Sequence, residues 1–117
     1  MESKEVSPEL RREMASRARD KRLRFVEFSV DAPSVWTPTQ VLNPESGLPF
    51  TDISAWHFIA VQIECGCPIR LVDLRFPPGA TGYEMVLDGA VGQPGIYVKV
   101  ALHGNKIKGR SFHNATR

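Results

Sequence analysis

The chain has 117 residues, the usual size of one globular domain, and 42% of them are apolar, enough for a single core. No apolar run approaches the ~20 residues that a membrane span needs, and the first residues, MESKEVSPELRREM, lack the apolar core of a signal peptide. We therefore predict one soluble, cytoplasmic domain over residues 1–117, with no membrane segment.

Charge is distributed very unevenly along the chain. The net charge is +2 overall, but it is +3 over residues 1–24, −6 over 25–95 and +5 over 96–117, where no acidic residue occurs. This separation is more informative than the mean, because a locally basic segment can form a face that attracts a polyanion.

The N-terminal segment, residues 1–24, is predicted to contain a basic helix. Ser7 is a good cap and Pro8 suits the first helical position, so we expect the helix over residues 7–24. Its apolar stripe is thin, which indicates a helix that is solvated or that docks on an acidic surface. A short strand is expected next, over residues 25–30.

Prolines dominate the following segment, residues 31–51. Four prolines and a glycine exclude a long helix or a central strand there. Its apolar residues, including Trp36 and Phe50, indicate that the segment packs against the core as an ordered loop.

Residues 52–113 are predicted to form the core of the domain, a helix followed by an antiparallel sheet. Helix 52–65 is capped by Thr51 or Asp52 and is ended by Gly66. Four strands are expected after it, at 69–76, 83–87, 96–103 and 106–113. The predicted fold class is therefore α+β, with N-terminal helices packed on one face of a four- to five-stranded antiparallel sheet.

The last hairpin is predicted to collect basic side chains on one face of the sheet. Gly104-Asn105 is typical of a two-residue turn, and strict alternation from it places Lys99 opposite Arg110. The side chains on this face would be Tyr97, Lys99, His103, Lys106, Lys108, Arg110 and Phe112. Cations interleaved with aromatic rings suit single-stranded nucleic acid, whereas the alternative is an ordinary solvent face whose lysines protect an edge strand from aggregation.

A bulge at Gly109 would change which side chains share this face. The strand would slip by one residue, so that Ser111 and His113 would join Lys99, while Arg110 and Phe112 would turn away. The sequence alone leaves both registers open.

Cys65 and Cys67 lie too close in the chain for disulfide geometry. A zinc site would need two more ligands, and His57, the nearest histidine, lies two helical turns back. We interpret the cysteines as small apolar residues at a helix end, and we predict neither a metal nor another cofactor.

The order of elements resembles that of the RelE-type ribonuclease toxins, nearest the motility quorum-sensing regulator toxins. Tyr97 and Lys99 match a family strand of the form Y-[LIV]-K, and Ser111 and Phe112 match a final strand ending in S-F. The resemblance covers residues 52–113. It implies helices on one side of an antiparallel sheet, messenger RNA on the open side, no metal, and a cognate antitoxin protein as partner.

Metal-independent RNA cleavage by the 2′-hydroxyl requires an acid, a base and cations near the phosphoryl oxygens. His113 is the candidate acid or base because its pKa is ordinarily near neutrality, and His103 replaces it if strict alternation holds. The predicted catalytic residues are Tyr97, Lys99, Arg110, Ser111 and His113, and the predicted RNA-binding residues are His103, Lys106, Lys108 and Phe112. The predicted function is a toxin-like, metal-independent endoribonuclease acting on single-stranded RNA. The alternative is a non-catalytic module that uses the same face to bind nucleic acid or an acidic protein.

Overall fold

The computed structural model describes residues 6–26, 35–74 and 79–115. Its elements are α1 (Pro8–Arg19), β1 (Arg24–Val26), β2 (Val35–Trp36), a 3₁₀ helix (Pro38–Gln40), α2 (Asp52–Glu64), β3 (Arg70–Asp73), β4 (Thr81–Leu87), β5 (Ile96–His103) and β6 (Lys106–Asn114). The strands form one six-stranded sheet in the order β1-β6-β5-β4-β3, and β2 also pairs with β6. The predicted α+β class is confirmed.

The sheet is mixed, so the prediction of a wholly antiparallel sheet is wrong. The four strands from β3 to β6 pair antiparallel, as expected, whereas β1 and β2 both run parallel to β6. Without them, the outer side of β6 would expose unpaired backbone groups. β2 lies within the segment predicted as a loop, 31–51. Parts of three predicted elements lie outside the described residues: 27–30 of the first strand, 31–34 of the loop and 75–76 of the strand at 69–76.

Both helices begin at the caps that the sequence predicts. The Ser7 hydroxyl accepts a hydrogen bond from the backbone N–H of Leu10, and the Thr51 hydroxyl accepts one from that of Ser54. The first helix ends at Arg19 rather than at residue 24. The reason is that Arg24 belongs to β1, where it pairs with Ile107 of the last strand.

The arginines of α1 bind backbone carbonyls of other elements. Arg11 donates to the carbonyl oxygens of Ile63 and Cys67, at the end of α2, at 2.9 and 2.7 Å. Arg17 donates to two carbonyl oxygens of the β5–β6 hairpin at 3.1 and 3.0 Å. These bonds join α1 to the end of α2 and to the hairpin through backbone carbonyl oxygens. The basic helix therefore packs within the domain and links α2 to the hairpin. The sequence instead predicted a helix that is solvated or docked on an acidic surface.

One apolar cluster contains side chains from both helices and from alternate positions of the central strands. Its fully buried members include Met14, Trp56, Ile59, Ile63, Met85, Val98, Val100, Ile107 and Phe112. Trp36 joins the cluster from β2, with its ring centroid 5.0 Å from that of Trp56 and 5.6 Å from that of Phe112. The sheet positions between these buried ones form the opposite face.

We predict that Val98→Ala lowers the free energy of unfolding by roughly 2–4 kcal/mol, because it leaves a cavity in the core. Val86 on the neighbouring strand provides a matched control, since its side chain is 64% exposed. Val86→Ala should change stability by less than about 0.5 kcal/mol. Urea unfolding of both variants measures the difference, and equal losses would show that the buried face is misassigned.

Candidate functional site

A bulge in β6 determines which side chains share the face opposite the core. Lys99 of β5 pairs with Ser111. The next residue of β5, Val100, pairs with Gly109, so Arg110 is an extra residue without a partner on β5. Strict alternation, which would have placed Arg110 opposite Lys99, is wrong.

Of the two registers that the sequence allowed, the bulged one is therefore present. Ser111 and His113 lie on the same face as Lys99. Phe112 pairs with Val98 and is fully buried, so the expectation that it flanks the basic residues and contacts RNA is wrong.

The bulge follows from the packing of Trp36 on Gly109. A Cβ atom at position 109 would lie 2.5–2.9 Å from three carbons of the Trp36 ring, closer than a side chain allows. Phe112 also packs on this ring. Gly109 and Phe112 thus both face the core although they are three residues apart, and only an extra residue between them makes this possible.

We use the term basic face for the sheet surface carrying Tyr97, Lys99, His103, Lys106, Lys108, Ser111 and His113. These side chains come from the pairs Tyr97–His113, Lys99–Ser111 and His103–Lys106, and from Lys108 opposite Ala101. The structure therefore brings together seven of the nine predicted site residues. The other two are Phe112, in the core, and Arg110, in the bulge.

His113 and Tyr97 form a ring pair at one end of the basic face. Their centroids are 5.1 Å apart and their planes are inclined by 31°. The Nδ1 atom of His113 lies 2.8 Å from the carbonyl oxygen of Asn114. Because a carbonyl oxygen only accepts, Nδ1 carries the proton, and Nε2 of the neutral ring keeps a lone pair that can accept one.

Glu84 on β4 holds Tyr97, the second ring of this pair, by a hydrogen bond. Its carboxylate accepts hydrogen bonds from the Tyr97 hydroxyl and from Arg70 Nε, the latter at 2.8 Å. Sequence reasoning missed Glu84 and Arg70. The β4–β5 register places Glu84 opposite Lys99, and the long connection over residues 88–95 gives no signal for that register.

The Glu84–Tyr97 contact changes the acidity of both groups. Burial raises the pKa of the Glu84 carboxyl, but hydrogen bonds from Tyr97 and Arg70 outweigh it and hold the pKa below its ordinary value. Burial, together with the Glu84 carboxylate, raises the pKa of Tyr97 well above its usual value. Tyr97 is therefore a neutral phenol whose proton is held by Glu84.

A depression of about 560 Å³ adjoins this contact, between β3 and β4. Its lining includes Arg70, Glu84 and Val86, and the Val86 side chain is 64% exposed. The depression thus places an accessible apolar side chain beside the charged groups.

The turn end of the basic face is built around Phe25, a residue that the sequence analysis did not single out. The Nζ atoms of Lys106 and Lys108 lie 6.0 and 5.7 Å from its ring centroid, and the His103 ring meets it edge-on at 6.1 Å. His103 and His113 lie at opposite ends of the hairpin, roughly 20 Å apart at about 3.3 Å per residue. They do not serve one reacting centre.

Arg110 occupies the bulge between the two ends of the basic face. It is only 6% exposed, and its Nε atom is buried without a hydrogen-bond partner. None of the ion pairs within the described residues includes it.

Elsewhere in the described ranges, no three His, Cys, Asp or Glu side chains converge to hold a metal ion. Cys65 and Cys67 are free thiols, and burial raises the pKa of Cys67. No described helix combines the length and apolar character needed to cross a membrane.

Comparison with known proteins identifies no relative. No protein-family model matches the chain, and no curated protein or solved structure matches it significantly. Functional inference therefore rests on the residues and the geometry described above.

We predict that Glu84 makes the fold sensitive to acid. Because its pKa is lower in the folded state, its contribution to stability is present above the unfolded value, ordinarily about 4.3, and is lost as the pH falls through the folded value. Glu84→Gln should therefore lose less stability than wild type between pH 7 and pH 3.

Urea unfolding midpoints at several pH values measure this difference. Tyr97→Phe, which removes one of the hydrogen bonds to Glu84, should show an intermediate pH dependence. Identical pH profiles for wild type and Glu84→Gln would contradict the assigned role of the carboxylate.

Proposed function

We propose that the basic face binds single-stranded RNA and cleaves it by metal-independent attack of the RNA 2′-hydroxyl. The observation that carries the proposal is the position of His113, whose Nδ1 proton is committed to a backbone carbonyl while Nε2 is left to accept a proton. Lys99 lies diagonally across the strand pair from His113, at a Cβ separation of about 7–8 Å. This spacing leaves room for a phosphate between the base and the cation.

The reaction divides among three side chains. His113 Nε2 takes the proton of the 2′-hydroxyl, and the 2′-oxygen attacks the adjacent phosphorus. Lys99 stabilises the charge that builds on the phosphoryl oxygens, and the Ser111 hydroxyl donates a hydrogen bond to them. The 5′-oxygen leaves and takes a proton from solvent. The products are a 2′,3′-cyclic phosphate and a 5′-hydroxyl.

Tyr97 has a positioning role in this mechanism. Its hydroxyl proton is held by Glu84, and its pKa is raised, so it is a poor proton donor to a leaving oxygen. Its ring instead supports the His113 ring from one side. The same aromatic surface can stack a nucleobase, as aromatic side chains do in proteins that bind single-stranded RNA.

The proposal includes a RelE-like arrangement in which both helices cover the face opposite the basic face. The shared buried cluster of helix and strand side chains supports this arrangement. The helices would then leave the basic face uncovered for RNA. A cognate antitoxin protein is the proposed protein partner, and an acidic segment that covers the basic face would inhibit such an enzyme.

A non-catalytic nucleic-acid-binding or protein-interaction module is the second candidate function. The observation that favours it is the cluster of His103, Lys106 and Lys108 around Phe25, which lies at the far end of the hairpin from His113. Cations beside an aromatic ring bind a strand without any acid or base. Cleavage assays separate this candidate from the first.

We predict that His113→Ala lowers RNA cleavage about 10²–10⁴-fold, the usual effect of removing one acid–base group. His57→Ala is the matched control, since His57 is an exposed residue of α2 outside the basic face, and it should cleave at nearly the wild-type rate. EDTA should leave the rate unchanged, DNA should survive, and mass spectrometry should find 2′,3′-cyclic phosphate ends. No cleavage by wild type, or undiminished cleavage by His113→Ala, would leave the binding module as the surviving function.

We also predict that RNA affinity depends on salt through the basic face. Each phosphate neutralised on a single strand contributes about −0.7 to the slope of log affinity against log salt concentration. Lys99→Ala combined with Lys106→Ala should therefore flatten the slope by about 1.4, as measured by fluorescence anisotropy. An unchanged slope would place the RNA site elsewhere.

A further inference from the structure

The two cysteines lie on the turn that ends α2, and this turn is held in one conformation. Gly66 and Cys67 donate backbone hydrogen bonds to carbonyl oxygens of the last helical turn, at 3.2 and 3.1 Å. Gly66 has a φ angle of +89°, which a side chain would disfavour. From the other side, Arg11 of α1 donates a hydrogen bond to the Cys67 carbonyl oxygen at 2.7 Å. The backbone that carries both thiols is therefore fixed by α2 and by α1.

Both thiols border the same depression. Cys65 and Cys67 line it together with Asp88, which follows β4, and its volume is about 420 Å³. Cys65 is exposed, Cys67 is partly exposed, and both are free thiols. Residues two apart in a chain have Cα atoms at most ~7 Å apart, so both sulfur atoms can reach one ion within this space.

The donor set indicates the kind of ion that fits. Thiolates are soft ligands, which select Cu⁺, zinc or iron–sulfur clusters over magnesium and calcium. Structural zinc sites and iron–sulfur clusters take four protein ligands. The depression offers two sulfur atoms and the harder carboxylate of Asp88. Two sulfur donors match Cu⁺, whose filled d shell allows coordination by two thiolates alone.

We propose that Cys65 and Cys67 form a binding site for one Cu⁺ ion, coordinated by the two sulfur atoms. When the ion binds, both S–H bonds break, two Cu–S bonds form, and two protons pass to solvent. The resulting bis-thiolate complex carries a single negative charge. The Arg11 guanidinium lies against the same turn and opposes that charge. The site does not depend on the proposed function, because neither cysteine belongs to the basic face.

Competition for Cu⁺ measures the site directly. The reduced, full-length protein is titrated anaerobically against a chromophoric Cu⁺ chelator, and wild type should remove one ion per chain. Cys65→Ser and Cys67→Ser should each weaken binding at least about 100-fold, since even residues that only orient a metal ligand are worth about 10–100-fold. Asp88→Asn is the control, because Asp88 lines the same depression without supplying sulfur, and it should change affinity less than about twofold.

The proposal is overturned if wild type takes no Cu⁺ from the chelator, or if either serine variant keeps the wild-type affinity. Equal losses in Asp88→Asn and in the serine variants would also overturn it, since the ligands would then not be two thiols alone. Cys65 is exposed, so Cys65→Ser is expected to fold even if Cys67→Ser does not, and it then decides the test by itself.

X-ray absorption at the copper edge of the loaded wild-type protein reports the number and type of ligands. Two sulfur neighbours are expected, with no oxygen or nitrogen neighbour. A third ligand, or a complex that runs as two chains on size-exclusion chromatography, would contradict a two-coordinate site within one chain. Equal competition by Zn²⁺ at the same free concentration would contradict it too, because zinc prefers four ligands.

Discussion

The packing of the Trp36 ring on Gly109 is the contact on which the basic face depends. A Cβ atom at position 109 would lie 2.5 Å from that ring, so the contact requires glycine. Once Gly109 and Phe112 both face the core, a residue between them must be displaced from the ladder. Ser111 and His113 reach the basic face for this reason. An aromatic residue in the proline-rich segment thus sets the composition of a surface on the far side of the sheet.

The elements that precede α2 also hold the last hairpin in place. β1 and β2 cover the outer side of β6, which would otherwise be an exposed edge. Arg17 of α1 binds carbonyls of the hairpin that carries the basic face, and Arg11 binds carbonyls at the end of α2. Charges that suggest an interaction surface in the sequence are therefore largely engaged inside the fold, and the C-terminal charges are the ones that define the candidate site.

Two charged side chains next to the basic face, Glu84 and Arg110, are in different situations. Glu84 is engaged by Arg70 and Tyr97, so that it orients an aromatic ring, and the nearby Lys99 lowers its pKa further. Arg110 is different, because it is buried and no described carboxylate pairs with it. The Glu84 carboxylate is thus satisfied by neighbouring side chains, whereas the buried Nε atom of Arg110 has no hydrogen-bond partner.

The sequence by itself determined the elements that depend on neighbouring residues. The caps at Ser7 and Thr51 and the turn at Gly104-Asn105 were all predictable, because a cap or a turn is made by side-chain and backbone groups a few residues apart. The alternation of β5 also gave one face of the hairpin correctly.

Only the tertiary structure decided the parallel pairing of β1 and β2, the role of Glu84, and the choice between two registers of β6. Each of these depends on residues far apart in the chain, such as Trp36 with Gly109 or Glu84 with Tyr97. Periodicity reports which side chains can share a face, but it carries no information on which distant ring will occupy the space above a glycine. That contact, rather than local preference, placed His113 beside Tyr97 and Arg110 in the bulge.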